Sequence, residues 1–300
     1  MILTYKIHDV APYINWIYFF HAWGFQPRFA TIAGIHGCDG CRATWLTTFA
    51  EEERSKAAEA MQLFKEANRM IDLLDRDYRT RALFQLFEAN ADGDNLLIRR
   101  PDGSATTFPL LRQQTPHRDG SPFFCLSDFI RPADMGQPDT IGAFVASIDA
   151  EMEQLYADDP YKHLLAQTLS DRLAEACTEK MHEEVRKTHW GYAKDENLTV
   201  ADLLGEKYQG IRPAVGYPSL PDQSVNFLLD ELLDMSRIGV ALTPNGMMIP
   251  HASVSGLMFA HPAANYFAVG KIGDDQLEDY ARRRGMSVAE TRKFLAGNLQ

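Results

Sequence analysis

The spacing of apolar residues changes along the chain, and each change marks an element. Over residues 51–77, Ala58, Met61, Phe64, Ala67, Ile71 and Leu74 recur at intervals of three and four, the repeat of an amphipathic helix. Residues 82–109 switch to short β-like runs, 82–87 and 95–99, on either side of the turn-forming Asn90-Ala91-Asp92-Gly93-Asp94, which predicts a hairpin. Asp92 and Asp94 lack the twelve-residue spacing and closing glutamate of a calcium loop. Residues 140–148 predict another strand. A long helical region follows over 150–189, where Leu165, Leu169, Leu173, Cys177, Met181 and Val185 fall at every fourth position and form one slowly winding stripe. Asp159-Pro160 predicts a break near its start, because the residue before proline disfavours the helical conformation.

Further helices are predicted over 223–236 and 275–284, with strands over 253–259 and 266–272 between them. Gly285 ends one helix and Ser287-x-x-Glu290 opens the next as a capping box. Residues 11–26, with Tyr13, Trp16, Tyr18, Phe19, Phe20, Trp23 and Phe25, are too aromatic for a surface segment and are expected in the core. Strands and helices do not alternate as βαβ units, so the expected class is α+β with a mainly antiparallel sheet. No Pro/Gly/Ser-rich linker divides the chain, and residues 1–300 are read as one domain.

Composition narrows the function. The 45% apolar and 24% charged residues are those of a globular protein, and the formal charge of -11 opposes a nucleic-acid partner. Arg282-Arg283-Arg284 is the densest basic run, and at a helix end it suits the helix dipole. The acidic net charge also makes the closing helix pair read as structural, not as a DNA-binding helix-turn-helix. No signal peptide or membrane-spanning run is found, so a cytoplasmic, soluble protein is expected, with its four cysteines as thiols. Neither G-x-G-x-x-G nor a P-loop is present, so any nucleoside ligand is held in another way.

The block Tyr208-Gln209-Gly210-Ile211-Arg212-Pro213-Ala214-Val215-Gly216-Tyr217-Pro218 is the most informative stretch. Two prolines among its glycines describe a fixed, extended loop that offers Arg212 and backbone groups to a polar ligand. By residue type alone, Arg212 in a plain salt bridge and Tyr217 in plain packing are the commoner outcome for such a loop.

This block resembles the R-x-x-x-G-Y loop of the activation domain of cobalamin-dependent methionine synthase. Leu111-Arg112-Gln113-Gln114-Thr115, Leu126-Ser127-Asp128-Phe129, Asp139-Thr140-Ile141-Gly142-Ala143-Phe144, Trp190-Gly191-Tyr192-Ala193, Ala252-Ser253-Val254-Ser255-Gly256, His261-Pro262 and Glu278-Asp279-Tyr280-Ala281-Arg282-Arg283 resemble that family in the same order. The likeness runs from about residue 13 to 299 and implies a twisted, central antiparallel sheet flanked by helices. It implies a protein that binds S-adenosylmethionine and remethylates cobalamin oxidised to the inactive cob(II) state. The cobalamin would be carried by a partner methionine synthase subunit, and the electron would come from a reduced flavoprotein.

On matching positions, the resemblance implies that Arg212 takes the methionine carboxylate and Asp128 faces the ligand's positive end. Ala214 and Gly216 would anchor the ligand by backbone groups, Tyr217 would lie toward the cobalamin, and Tyr266 and Phe267 would form an aromatic pair at the same site. Glu175 and Glu206 match acidic positions near the ligand, although Glu175 equally suits a solvated helix face. A permanent sulfonium cation suits carboxylates and aromatic faces, each worth roughly 0.5–2 kcal/mol when desolvated. No acid or base side chain is required, since the rate of methyl transfer rests on positioning. Phe267 stands where a second tyrosine is familiar, and His251 replaces a small residue.

The chain has no D-x-H-x-x-G segment of a cobalamin module and is too short for the homocysteine and folate barrels, so it is expected to act as a methyltransferase component, unable to make methionine alone. Its Met1 start suits a separate subunit, as it would an excised domain. Residues 24–50 read as a family-atypical insertion containing His36-Gly37-Cys38-Asp39-Gly40-Cys41. Its C-x-x-C with His36 offers three metal donors, for which His21 is a candidate fourth, although reduced thiols in a loop account for it as well. Two rival readings therefore stand beside the first: a metal or redox protein centred on Cys38 and Cys41, and a reactivation module for a different corrinoid methyltransferase.

Overall fold

The computed structural model describes residues 1–116, 120 and 122–300. It opens with β1 (Ile2–Lys6), α1 (Ile7–Val10), α2 (Trp16–Ala22), α3 (Asp39–Thr47) and α4 (Arg54–Asp77). The strands β2 (Arg79–Asp92), β3 (Asn95–Arg99), β4 (Ala105–Pro109) and β5 (Asp139–Ile148) follow, then α5 (Pro160–Glu184), α6 (Val200–Leu204) and α7 (Val225–Leu233). The chain ends with β6 (Ala241–Leu242), β7 (Met248–Ile249), β8 (Ser253–Met258), α8 (Asp274–Arg284) and α9 (Val288–Phe294).

The main sheet runs β4-β3-β2-β5-β8, with β1 added to the first half of β2, and every paired strand is antiparallel. Side chains alternate across a strand, and both faces are buried. Ala82, Phe84, Phe144, Ala146 and Ile148 join one core, with Val10, Phe19, Ala67 and Leu169 from the covering helices. Leu83, Phe87, Ala89, Ile141, Ala143 and Val145 join the other, with Val225 and Leu229 of α7. This two-sided burial explains why β5 reads as a continuous apolar run instead of an alternating one. The expected α+β class with a helix-flanked antiparallel sheet is what the structure shows.

The helix expected over 51–77 becomes regular at Arg54, after a short 3-10 turn. In the hairpin, β2 runs on to Asp92, which pairs with Asn95, so only Gly93 and Asp94 turn and Asn90 to Asp92 belong to the strand. The region 150–189 is not one helix. Residues 150–154 form a 3-10 turn, and α5 starts where Pro160 needs no N–H partner and Asp159 accepts from the Lys162 N–H at 3.2 Å. Its stripe residues from Leu165 to Val185 are all buried, and the chain then widens into a π turn over Val185–His189.

The strand expected over 266–272 is absent. Those backbone groups bond singly to different loops: the Val269 N–H donates to the Pro218 carbonyl, and the Ala268 carbonyl accepts from Gln113. Two arginines of the basic run at the end of α8 are turned inward, Arg283 donating to the Asp94 and Leu110 carbonyls and Arg284 to Ser224, while Arg282 stays exposed and pairs with Asp279. In the aromatic segment Phe19 and Phe20 are fully buried while Tyr18 stays exposed. Among the described residues no helix is long and apolar enough to cross a membrane.

Candidate functional site

The loop bearing Arg212 lies along β8 as a partial extra strand. Ile211 and Phe259 exchange backbone hydrogen bonds of 3.0 and 2.9 Å, the Leu257 N–H donates to the Pro213 carbonyl, and the Val215 N–H donates to the Ser255 carbonyl. Pro213, lacking an N–H, is used only as an acceptor. The contact is too close for side chains: a Cβ on Gly256 would stand 2.2 Å from the Pro213 oxygen, and one on Gly210, at φ +84°, 2.2 Å from the Phe259 oxygen. The loop is thereby pinned to the sheet on both sides of Arg212.

Between this loop, α5, α6 and residues 266–268 lies a cleft of about 720 Å³, within the range of small-molecule sites. Arg212 enters it with its side chain 10% exposed and pairs with Glu179 of α5. The buried Arg212 Nε has no protein partner. The Arg212 N–H donates to the Tyr266 hydroxyl at 2.9 Å, and that hydroxyl lies 3.1 Å from the hydroxyl of Tyr208. Behind Tyr208, the Arg186 guanidinium sits 4.2 Å from the ring centroid and makes bonds of 3.0 and 2.6 Å to Glu196. His182 packs edge-on to Tyr208 at 4.9 Å, and burial, then Arg186 and Arg212, hold its imidazole neutral.

Glu175 is one turn before Glu179 on the same face of α5. Its carboxylate accepts from the Tyr217 hydroxyl at 3.1 Å and from Arg172 at 2.8 Å. Burial raises the Glu175 carboxyl above the usual range, and burial followed by repulsion from Glu179 raises Glu206. Tyr217 is pushed to about 12 by burial and by Glu175. Glu206 adopts φ +56°, a left-handed conformation that costs a non-glycine residue energy. The charged lining consists of Glu175, Glu179, Glu206, Arg172 and Arg212, three carboxylates against two guanidinium groups. A ligand with one net positive charge balances it.

Of the residues expected at the site, Arg212, Ala214, Tyr217, Tyr266, Phe267, Glu175 and Glu206 line this single cleft. Gly216 does not, but its φ of +86° forms the turn that brings Tyr217 back over Ala214. Asp128 is not brought to the cleft. Its two oxygens take both Arg112 terminal nitrogens at 2.8 Å, and Oδ2 accepts the Cys125 N–H, so it caps a turn and clamps an arginine. Asn15, Glu179 and Tyr208 line the cleft without having been singled out as contacts. Glu179 was findable from its i+4 spacing to Glu175. Asn15 was masked by its second role, capping α2 through the Ile17 N–H at 3.1 Å. His36, Cys38 and Cys41 form a separate group that lines no part of the cleft, and His21 is not in it.

Fold and cleft together define an α+β domain with a small-molecule-sized, net acidic cleft against a fixed extended loop. Residues 6–285 match the family described as vitamin B12 dependent methionine synthase, activation domain, and the chain belongs to that family. It is also similar, at 38% identity and a TM-score of 0.86, to the crystal structure of the MetH reactivation domain bound to AdoHcy, over 100% of this chain and 90% of that one.

Proposed function

We propose that the cleft binds S-adenosylmethionine and that the protein presents its methyl group to cobalamin carried by a partner methionine synthase subunit, returning inactive cob(II)alamin to methylcobalamin once a reduced flavoprotein supplies an electron. The observation that carries this reading is the charge and donor pattern around Arg212. S-adenosylmethionine bears a carboxylate, an ammonium and a sulfonium, one net positive charge, which complements the cleft's one net negative charge. The unpartnered Arg212 Nε is a donor for its carboxylate. Glu175 and Glu206, with the faces of Tyr217 and Tyr266, offer its cationic centres carboxylates and π surfaces.

Bound S-adenosylmethionine supplies an activated methyl group, and the side chains here position it. Arg212, held by Glu179 and by the loop's pairing with β8, orients the ligand. Tyr217 and Tyr18, 51% and 57% exposed, put aromatic surface at the cleft where a partner's corrin ring can approach. The family and the AdoHcy-bound relative support the ligand class. The test mixes the protein with a cobalamin-loaded methionine synthase fragment lacking its own activation domain, a flavoprotein reductant and S-adenosylmethionine. Conversion of the cob(II)alamin spectrum to that of methylcobalamin, dependent on this chain, is the expected result. An unchanged rate with and without the chain would contradict the role.

A further inference from the structure

The group formed by His36, Cys38 and Cys41 stands apart from the cleft. One ligand atom from each lies within 4.8 Å of the others, with Cys38 and His36 exposed and Cys41 half-buried. In a tetrahedral zinc site with Zn–S near 2.3 Å, neighbouring donors sit roughly 3.8 Å apart. A contraction of roughly 1 Å at most would therefore close the three around one ion. Their spacing, H-x-C-x-x-C, puts all three within one tight turn, and the Cys41 N–H donates to the Cys38 sulfur at 3.3 Å, which favours the thiolate.

The turn is backed by a rigid base. Trp45 of α3 is 4% exposed and donates from Nε1 to Thr31 at 3.0 Å, and Phe49 stacks on Phe29 at 5.2 Å. The donors thus project from an anchored helix start, where binding costs little ordering entropy. Residues 24–50 are folded into the core through these aromatics and carry the three donors at their surface.

We propose that His36, Cys38 and Cys41 form a zinc site with an open fourth position filled by solvent water. Two thiolates and a neutral imidazole offset the charge of Zn²⁺, and one proton leaves each thiol on binding. Uptake therefore releases protons and weakens as pH falls. Thiolate and imidazole donors select zinc over magnesium or calcium, which take oxygen ligands.

The test titrates the full-length, reduced, metal-free protein with Zn²⁺ against a chromogenic chelator, and with Co²⁺ as a spectroscopic substitute. One equivalent should bind, with thiolate-to-cobalt charge-transfer absorption, and Cys38→Ser, Cys41→Ser and His36→Ala should each weaken it at least about tenfold. The donors are surface groups, so circular dichroism of the variants should match the parent. Three results would overturn the proposal: no stoichiometric binding, binding unchanged by Cys38→Ser, or a Cys38–Cys41 disulfide in anaerobically purified protein that takes up no metal on reduction.

Discussion

Arg212 and Glu175 are the single residues at which the structure and the proposed recognition meet. An arginine nine-tenths buried needs a counter-charge, and Glu179 provides it while leaving Nε without a partner. Glu175 is surrounded by Arg172, Arg212, Asp171 and Tyr217, and burial still dominates, raising its pKa. Affinity for the cation should therefore fall as pH drops through the raised Glu175 and Glu206 values, because each protonation removes a negative charge from the cleft. Titrating binding against pH checks this, and a flat profile across the acid range would exclude both carboxylates from recognition. Glu175→Gln should weaken S-adenosylmethionine several-fold to about tenfold but spare S-adenosylhomocysteine, which lacks the sulfonium charge. Equal losses for both ligands would place Glu175 elsewhere than beside the sulfonium. At this scale the sequence was legible wherever a residue sat in a distinctive loop. Asp128 was misplaced because a carboxylate in a short motif serves a turn cap and an arginine clamp as well as a ligand, and sequence does not distinguish these.

Among elements, the decisive contact is backbone against backbone, the Arg212 loop on β8. Gly256→Ala would drive a Cβ into the Pro213 carbonyl, so the loop must lift from the strand. Destabilisation of about 1–3 kcal/mol, together with loss of ligand binding, is expected. Normal binding by a fully stable Gly256→Ala protein would show that the loop's seat is not what positions Arg212. The elements read correctly from sequence were those with strong periodicity, α4 and the stripe of α5. Residues 266–272 were misread as a strand because their apolar composition serves separate contacts, Tyr266 and Phe267 at the cleft and Val269 under the C-terminal helices. The π turn after α5 also left no periodic signal, although it sets the position of Arg186.

For the whole molecule, the two-faced sheet supplies rigidity and the cleft lies at its β8 margin. Beneath it, the Arg186–Glu196 pair, with side chains 0% and 8% exposed, ties the end of α5 to residues 190–196 and carries Tyr208 on its guanidinium. Glu196→Gln leaves that arginine charge uncompensated and should cost about 3–5 kcal/mol, measured by chemical denaturation. A cost below about 1 kcal/mol would mean the pair is solvated. A ligand bound only by the folded protein adds stability of about 2.7 kcal/mol at a hundredfold excess over Kd, so S-adenosylmethionine should raise Tm with the logarithm of its concentration above Kd. The α+β class, the central strands and most of the cleft were readable from sequence. The convergence of α5, the loop and residues 266–268 on one space was not, since it depends on long-range packing.

The most direct test is calorimetric titration of S-adenosylmethionine into the wild-type protein and Arg212→Ala, with circular dichroism confirming that the variant is folded. Saturable, one-to-one binding that weakens at least about tenfold in the variant is the predicted result. Equal affinity in the two folded proteins, or no binding to the wild type, would contradict the assignment of this cleft.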